Sequence, residues 1–126
     1  PFVLCQESSP HVLGYYTLSS MSIELGELPE GTRKKLPRYP EVPATLIGRL
    51  AVDLRWRNMR LREYLLLDAL CRSWRQSHTI GAFAVVVRAK DERAREFYAK
   101  YDFKAFVEHP EHMFLPMHVV KKIFAE

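Results

Sequence analysis

The sequence predicts a mixed α/β domain, and three observations carry that expectation. A strand-like run, Leu46–Val52, ends at Asp53, passes through the basic stretch LRWRNMR and enters a segment with helical spacing. The run AFAVVV at Ala82–Val87 follows that helix; it is continuous, apolar and rich in β-branched residues, the mark of a strand covered on both faces. A second helix and two further strands come next, so helices and strands alternate along the chain.

Taken in order, Phe2–Cys5 is a short apolar run, and after the turn-like ESSPH the chain resumes as VLGYYTLSS, which completes a hairpin. From Gly26 to Pro43 four prolines and two glycines speak against a lasting helix or central strand and predict a long loop. Ala44–Val52 is the next strand. In the helix that follows, Leu67, Leu70, Cys71 and Trp74 keep an i, i+3, i+4, i+7 stripe, and the helix ends before Gly81. A right-handed crossover then joins its strand to Ala82–Val87 as a parallel neighbour. Asp91 is a good N-cap for a second helix with Ala94, Phe97, Tyr98 and Tyr101 on one stripe. Phe103–Val107 and Met113–Val119 read as two strands joined across EHPEH, with Pro116 arguing against a fully paired interior position.

With 126 residues, 48% hydrophobic and 27% charged, residues 1–126 fit one domain with a real core. The apolar runs are too short or too often broken by charge to span a bilayer, and no secretory leader opens the chain, so a soluble, cytoplasmic protein is expected. Cys5 and Cys71 lie far apart, form no CxxC, and are expected to be reduced, buried thiols. His109 and His112, beside Glu108 and Glu111, read as solvated turn residues, and no metal is expected. No Gly-x-Ser-x-Gly or Walker sequence occurs.

The net charge of +4 is unevenly spread: residues 1–30 carry −4, residues 31–62 carry +7 and residues 63–126 carry +1. The middle third attracts a polyanion, either cofactor phosphates or nucleic acid. Arg33, Lys34, Lys35 and Arg38 beside Tyr39 form one basic cluster that could grip a phosphate backbone and stack a base, with ordinary solvated loop charge as the favoured alternative. Arg55, Arg57, Arg60 and Arg62 surround the turn into the first long helix, where N–H groups and the helix dipole favour an anion.

LIGRLAVD followed by RNMRLR, then AKDERAREFYAKYDF and FLPM, resemble the core of the GNAT N-acetyltransferases over nearly the whole chain. With GYYTLS and LPRYPEVPATLIGRLAVD, the resemblance is closest to small bacterial toxins of toxin–antitoxin pairs that acetylate aminoacyl-tRNA. It implies a mixed sheet with a splayed parallel strand pair and flanking helices, together with an N-terminal strand and helices ahead of Pro1 that this sequence lacks. It also implies transfer of an acetyl group from acetyl-CoA to a primary amine, possible partners in tRNA, a small DNA-binding antitoxin and a second copy, and no membrane.

By the same resemblance, main-chain groups of Leu50, Ala51 and Val52 hydrogen-bond acyl-CoA. The phosphate loop, (Gln/Arg)-x-x-Gly-x-(Gly/Ala), falls on Arg57, Asn58, Met59, Arg60, Leu61 and Arg62. Arg57 fits, whereas Arg60 and Arg62 replace small residues; their Cβ atoms obstruct close backbone approach while their guanidinium groups offer bidentate phosphate contacts. Asp91 stands at an asparagine position that contacts pantetheine, and Asp102 at a glycine position before Phe103. Tyr98 matches the tyrosine that protonates the departing thiolate; its residue-level alternative is an aromatic core stripe with Phe97 and Tyr101. The altered loop keeps a second function in play, a catalytically degenerate module of the same fold that binds RNA or a protein.

Overall fold

The computed structural model describes residues 2–5, 12–34, 41–53 and 60–124. Six strands form one sheet in the order β1-β2-β3-β4-β6-β5. They are β1 (Phe2–Cys5), β2 (Val12–Glu24), β3 (Glu41–Val52), β4 (Ala84–Arg88), β5 (Lys104–Ala105) and β6 (His112–Pro116). The helices are α1 (Glu30–Arg33), α2 (Leu61–Ile80), α3 (Glu92–Ala99) and α4 (Met117–Phe124). Only β3 and β4 pair in parallel; the other neighbours are antiparallel. This is the mixed α/β arrangement expected, with α2 as the crossover between the parallel strands.

β4 is buried on both faces, as its unbroken apolar run requires. Val85 and Val87 join Tyr16, Leu65, Leu66, Leu70, Leu115 and Val120 beneath the helices. Ala84 and Val86 face the other way, toward Ile23, Leu28, Phe106 and Phe114. Period-two alternation thus feeds two cores from one strand, and each buried valine contributes about 1.5–3 kcal/mol.

Several boundaries differ from expectation for local reasons. The span Gly26–Pro43 holds a 3-10 turn at Leu25–Glu27 and the single turn α1, and β3 already begins at Glu41. Pro43 is tolerated there because it precedes the parallel ladder, which opens at Ala44 opposite Ala84, while its carbonyl accepts from Phe83 N–H at 2.8 Å. The buried face of α2 is Leu65, Leu66, Ala69, Leu70 and Ser73, whereas Leu67 and Cys71 are half-buried. The Cys71 thiol is therefore not the buried group expected. Three consecutive leucines make the apolar pattern compatible with either face, and packing on Tyr16 and Ile47 selects one.

The last strand stops at Pro116, and His118–Val119 belong to α4. β6 is interior, but β5 pairs only with Met113 and Phe114, so Pro116 never needs a donor on that side. Val120 is buried, and Phe124 stacks on Trp74 at 6.2 Å. Gly81 closes α2 at φ 66, with its N–H on the Ser77 carbonyl at 2.8 Å, the αL end that glycine makes inexpensive.

Candidate active site

The parallel pairing of β3 with β4 covers only Ala44–Ile47 against Ala84–Val87. Beyond Ile47, β3 runs on to Val52 held by β2, in the register Tyr16 with Leu50, Tyr15 with Ala51 and Gly14 with Val52. The two parallel strands part there, and the gap opens into a cleft of about 770 Å³. Gly14 permits this geometry, since a Cβ would lie 2.7 Å from Leu65 Cδ1 and 2.8 Å from the Ala51 carbonyl oxygen.

The cleft brings together Leu50, Ala51, Val52, Arg62, Asp91 and Tyr98 among the residues expected from sequence. Arg60 and Leu61 are not on its lining. Arg57, Asn58 and Met59, together with Lys35, Arg38, Tyr39 and Arg55, lie outside the described residues. Arg33 and Lys34, at the end of α1, are exposed and are not among the cleft residues, with Lys34 paired to Glu30 at 3.5 Å. Sequence reasoning missed Arg49, Arg88, Lys90 and Arg93 as cleft cations, and Tyr15 as a cleft aromatic. The signal for the cations was positional: each sits at or near the carboxyl end of a parallel strand or at the start of the helix that follows, whereas Tyr15 lies on the antiparallel strand β2.

With Arg62 included, these cations outnumber the single lining carboxylate, Asp91. Such a cleft favours an anionic ligand, and its walls strengthen the attraction by lowering the local dielectric. The Asp91 carboxylate is engaged as a cap: Oδ1 accepts from Ala94 N–H at 2.8 Å, and the backbone at Asp91 is extended.

α2 starts differently. Its N-cap is Arg60 at φ 56, with no side-chain capping bond among the described residues. The other non-glycine residue of positive φ is Asp102, at 71. Both stand where the family pattern carries glycine, so the backbone keeps the glycine conformation under a different side chain. The Arg60 Nε stands 3.7 Å from Glu63 in an exposed pair, and Glu63 accepts a hydrogen bond from the Tyr101 hydroxyl. Burial first, then that bond to a carboxylate, pushes the Tyr101 phenol up to about 12.

Farther along α2, Asp68 accepts from the Tyr16 hydroxyl and from Arg72 Nε, the latter at 3.2 Å, which pins the helix to β2. Burial and the Asp68 carboxylate hold the Tyr16 phenol well above its ordinary value.

Tyr98 is 5% exposed and belongs to the helix-side core, yet it also lines the cleft, so its stripe role and its site role coexist. Its ring packs 5.2 Å from Phe97 and 5.4 Å from Phe103. Burial raises the phenol above its ordinary value, and the charge of Arg62 pulls it back. It is therefore a phenol, a proton donor, throughout the neutral range. His109 and His112 sit apart from this cleft, the first 3.6 Å from Glu111. Among the described residues no three His, Cys, Asp or Glu side chains gather as a metal set, and no helix is long and apolar enough to cross a membrane.

A parallel pair that opens at its carboxyl ends beside a phenol is the architecture of the GNAT fold. No protein-family model matches the chain. It is 35% identical over 116 residues to the tRNA-acetylating toxin of Mycobacterium tuberculosis (strain ATCC 25618 / H37Rv), a match spanning 92% of this chain and 68% of that protein. Among solved structures, AtaT complexed with acetyl-methionyl-tRNAfMet superposes with a TM-score of 0.88 at 31% identity, over 98% of this chain and 74% of that one. A tyrosine-to-phenylalanine variant of AtaT, bound to the C-terminus of the antitoxin AtaR and acetyl-CoA, gives 0.75 at 26% identity, over 91% and 65%. The chain belongs to the family of tRNA-acetylating toxins.

Proposed function

We propose that this protein transfers the acetyl group of acetyl-CoA to the amino group of an aminoacyl-tRNA. The observation that carries the reading is the buried Tyr98 phenol in a cationic cleft at the point where β3 leaves β4. Leu50, Ala51 and Val52 line that gap, and their main-chain groups would hold the pantetheine arm, with an N–H near Val52 polarising the thioester carbonyl. The start of α2, together with the residues from Arg57 that lead into it, would hold the phosphates, while Arg62 faces the phenol. Asp91 would orient α3 beside the arm through its cap. The acceptor amine attacks the carbonyl directly, and Tyr98 gives its proton to the sulfur that departs.

The same reading makes tRNA the acceptor's carrier, matched to the cationic surface, and an antitoxin and a second copy the protein partners. Residues 1–126 act as one acetyltransferase domain, at work in the cytoplasm where aminoacyl-tRNA is found. The test is incubation with radiolabelled acetyl-CoA and a panel of aminoacyl-tRNAs. Label in the aminoacyl group of at least one species supports the reading; no label with any species, while acetyl-CoA binds, favours a module that has kept the fold and lost transfer.

A further inference from the structure

Arg62 occupies a position where the family pattern has glycine or alanine, and its surroundings explain what a cation can do there. It lies in the first turn of α2, where a positive side chain meets the positive end of the helix dipole unfavourably. An attraction offsets that cost: the guanidinium carbon stands 4.6 Å from the centroid of the Phe97 ring on α3, a cation–π contact. The Phe97 ring in turn meets Tyr98 edge-on. The arginine is thereby clamped on the aromatic ring next to Tyr98, and both side chains line one cleft.

We propose that Arg62 is a positioning residue for proton transfer: fixed on Phe97, its guanidinium supports the phenolate that Tyr98 becomes on giving its proton to the departing sulfur. The inference rests on the acetyltransferase reading. In that step the amine N–C bond forms and the thioester C–S bond breaks. Sulfur takes the Tyr98 proton, and the proton that the amine must shed returns through solvent to the phenolate, so no further reactant is needed.

Other charged or titratable groups face the same cleft: Tyr15 from β2, Arg49 from β3, Arg88 and Lys90 from the end of β4, and Asp91 and Arg93 from the start of α3. Among the described residues the Arg62 charge acts on the Tyr98 phenol against the effect of burial, in the direction that favours ionisation. A guanidinium suits the task because it stays charged at any relevant pH and lies flat on a ring.

The test places difluorotyrosine, whose phenol ionises near neutrality, at Tyr98 in the full chain and follows its titration by fluorine NMR. Arg62→Gln should raise the midpoint by about one pH unit or more, and Arg62→Lys should restore part of the shift. An unchanged midpoint in Arg62→Gln overturns the proposal. Kinetics separate a second alternative: turnover should fall with the KM for acetyl-CoA nearly constant, whereas a raised KM at constant turnover would make Arg62 a phosphate ligand and overturn it. Because the titration needs no acetyl transfer, a shifted midpoint in a protein that acetylates nothing would sink the acetyltransferase reading and the proton-transfer role while leaving the Arg62–Tyr98 coupling established.

Discussion

Two helices start close to the cleft, and they start in opposite ways. α3 opens on Asp91, extended at φ −147, with its own carboxylate on the Ala94 N–H. α2 opens on Arg60 in the left-handed region, without a side-chain cap among the described residues. The first end caps one of its N–H groups with its own side chain, whereas among the described residues no side chain caps the second. On the acetyltransferase reading, α2 is therefore the end that receives phosphate, while α3 holds the phenol still.

The largest effect expected from disturbing this division is on chemistry. Tyr98→Phe should lower turnover by about a hundredfold or more with acetyl-CoA affinity nearly intact, as read by steady-state kinetics beside calorimetry; equal turnover would remove Tyr98 from the step. Next comes Gly14→Ala, which drives a methyl into Leu65 and the Ala51 carbonyl where α2 meets the splayed end of β3. A loss of about 1–3 kcal/mol is expected in denaturant unfolding.

Asp91→Ala should cost about 1 kcal/mol through the lost cap, and Asp91→Asn much less. If Asp91→Asn instead weakens acetyl-CoA binding at full stability, the carboxylate serves the ligand and not its helix alone. Arg60→Gly should raise stability by about 1 kcal/mol by relieving the left-handed backbone, because the Arg60–Glu63 pair it removes is 88% exposed on the arginine side and contributes little. The smallest effect is confined to alkaline pH. The Tyr101 phenol titrates higher folded than its ordinary value near 10, so the stability it lends is complete below that value and is lost as pH climbs toward about 12. Tyr101→Phe should flatten that part of the stability profile.

Much of the architecture was legible because period and punctuation agreed. AFAVVV, the Asp91 cap and the Gly81 stop each have one favourable reading, and the structure holds each of them, with the strand starting at Ala84 instead of Ala82 and ending at Arg88. The face of α2 was not legible, since YLLLDAL offers apolar residues in several directions and only packing against Tyr16 and Ile47 chooses. α4 was hidden by a strand-like start: MFLPMHV continues the β-branched and aromatic pattern across Pro116, although Val120 and Phe124 already stand one helical turn apart.

The site divides the same way. Tyr98, Leu50–Val52 and Asp91 converge because they lie on elements whose order the sequence displays. The cleft cations Arg49, Arg88, Lys90 and Arg93 converge only through the splay of β3 from β4, which linear spacing does not encode. Arg60 and Asp102 are a third case. The substitution of glycine raised doubt about the loop, yet both residues keep the positive φ that glycine would supply.

The central claim of the acetyltransferase reading is that this cleft holds acyl-CoA although Arg60 and Arg62 stand at the start of α2. Isothermal titration of the protein with acetyl-CoA tests it most directly: saturable binding, retained in Tyr98→Phe, is the result expected, and an absence of heat or thermal stabilisation at millimolar ligand would contradict it.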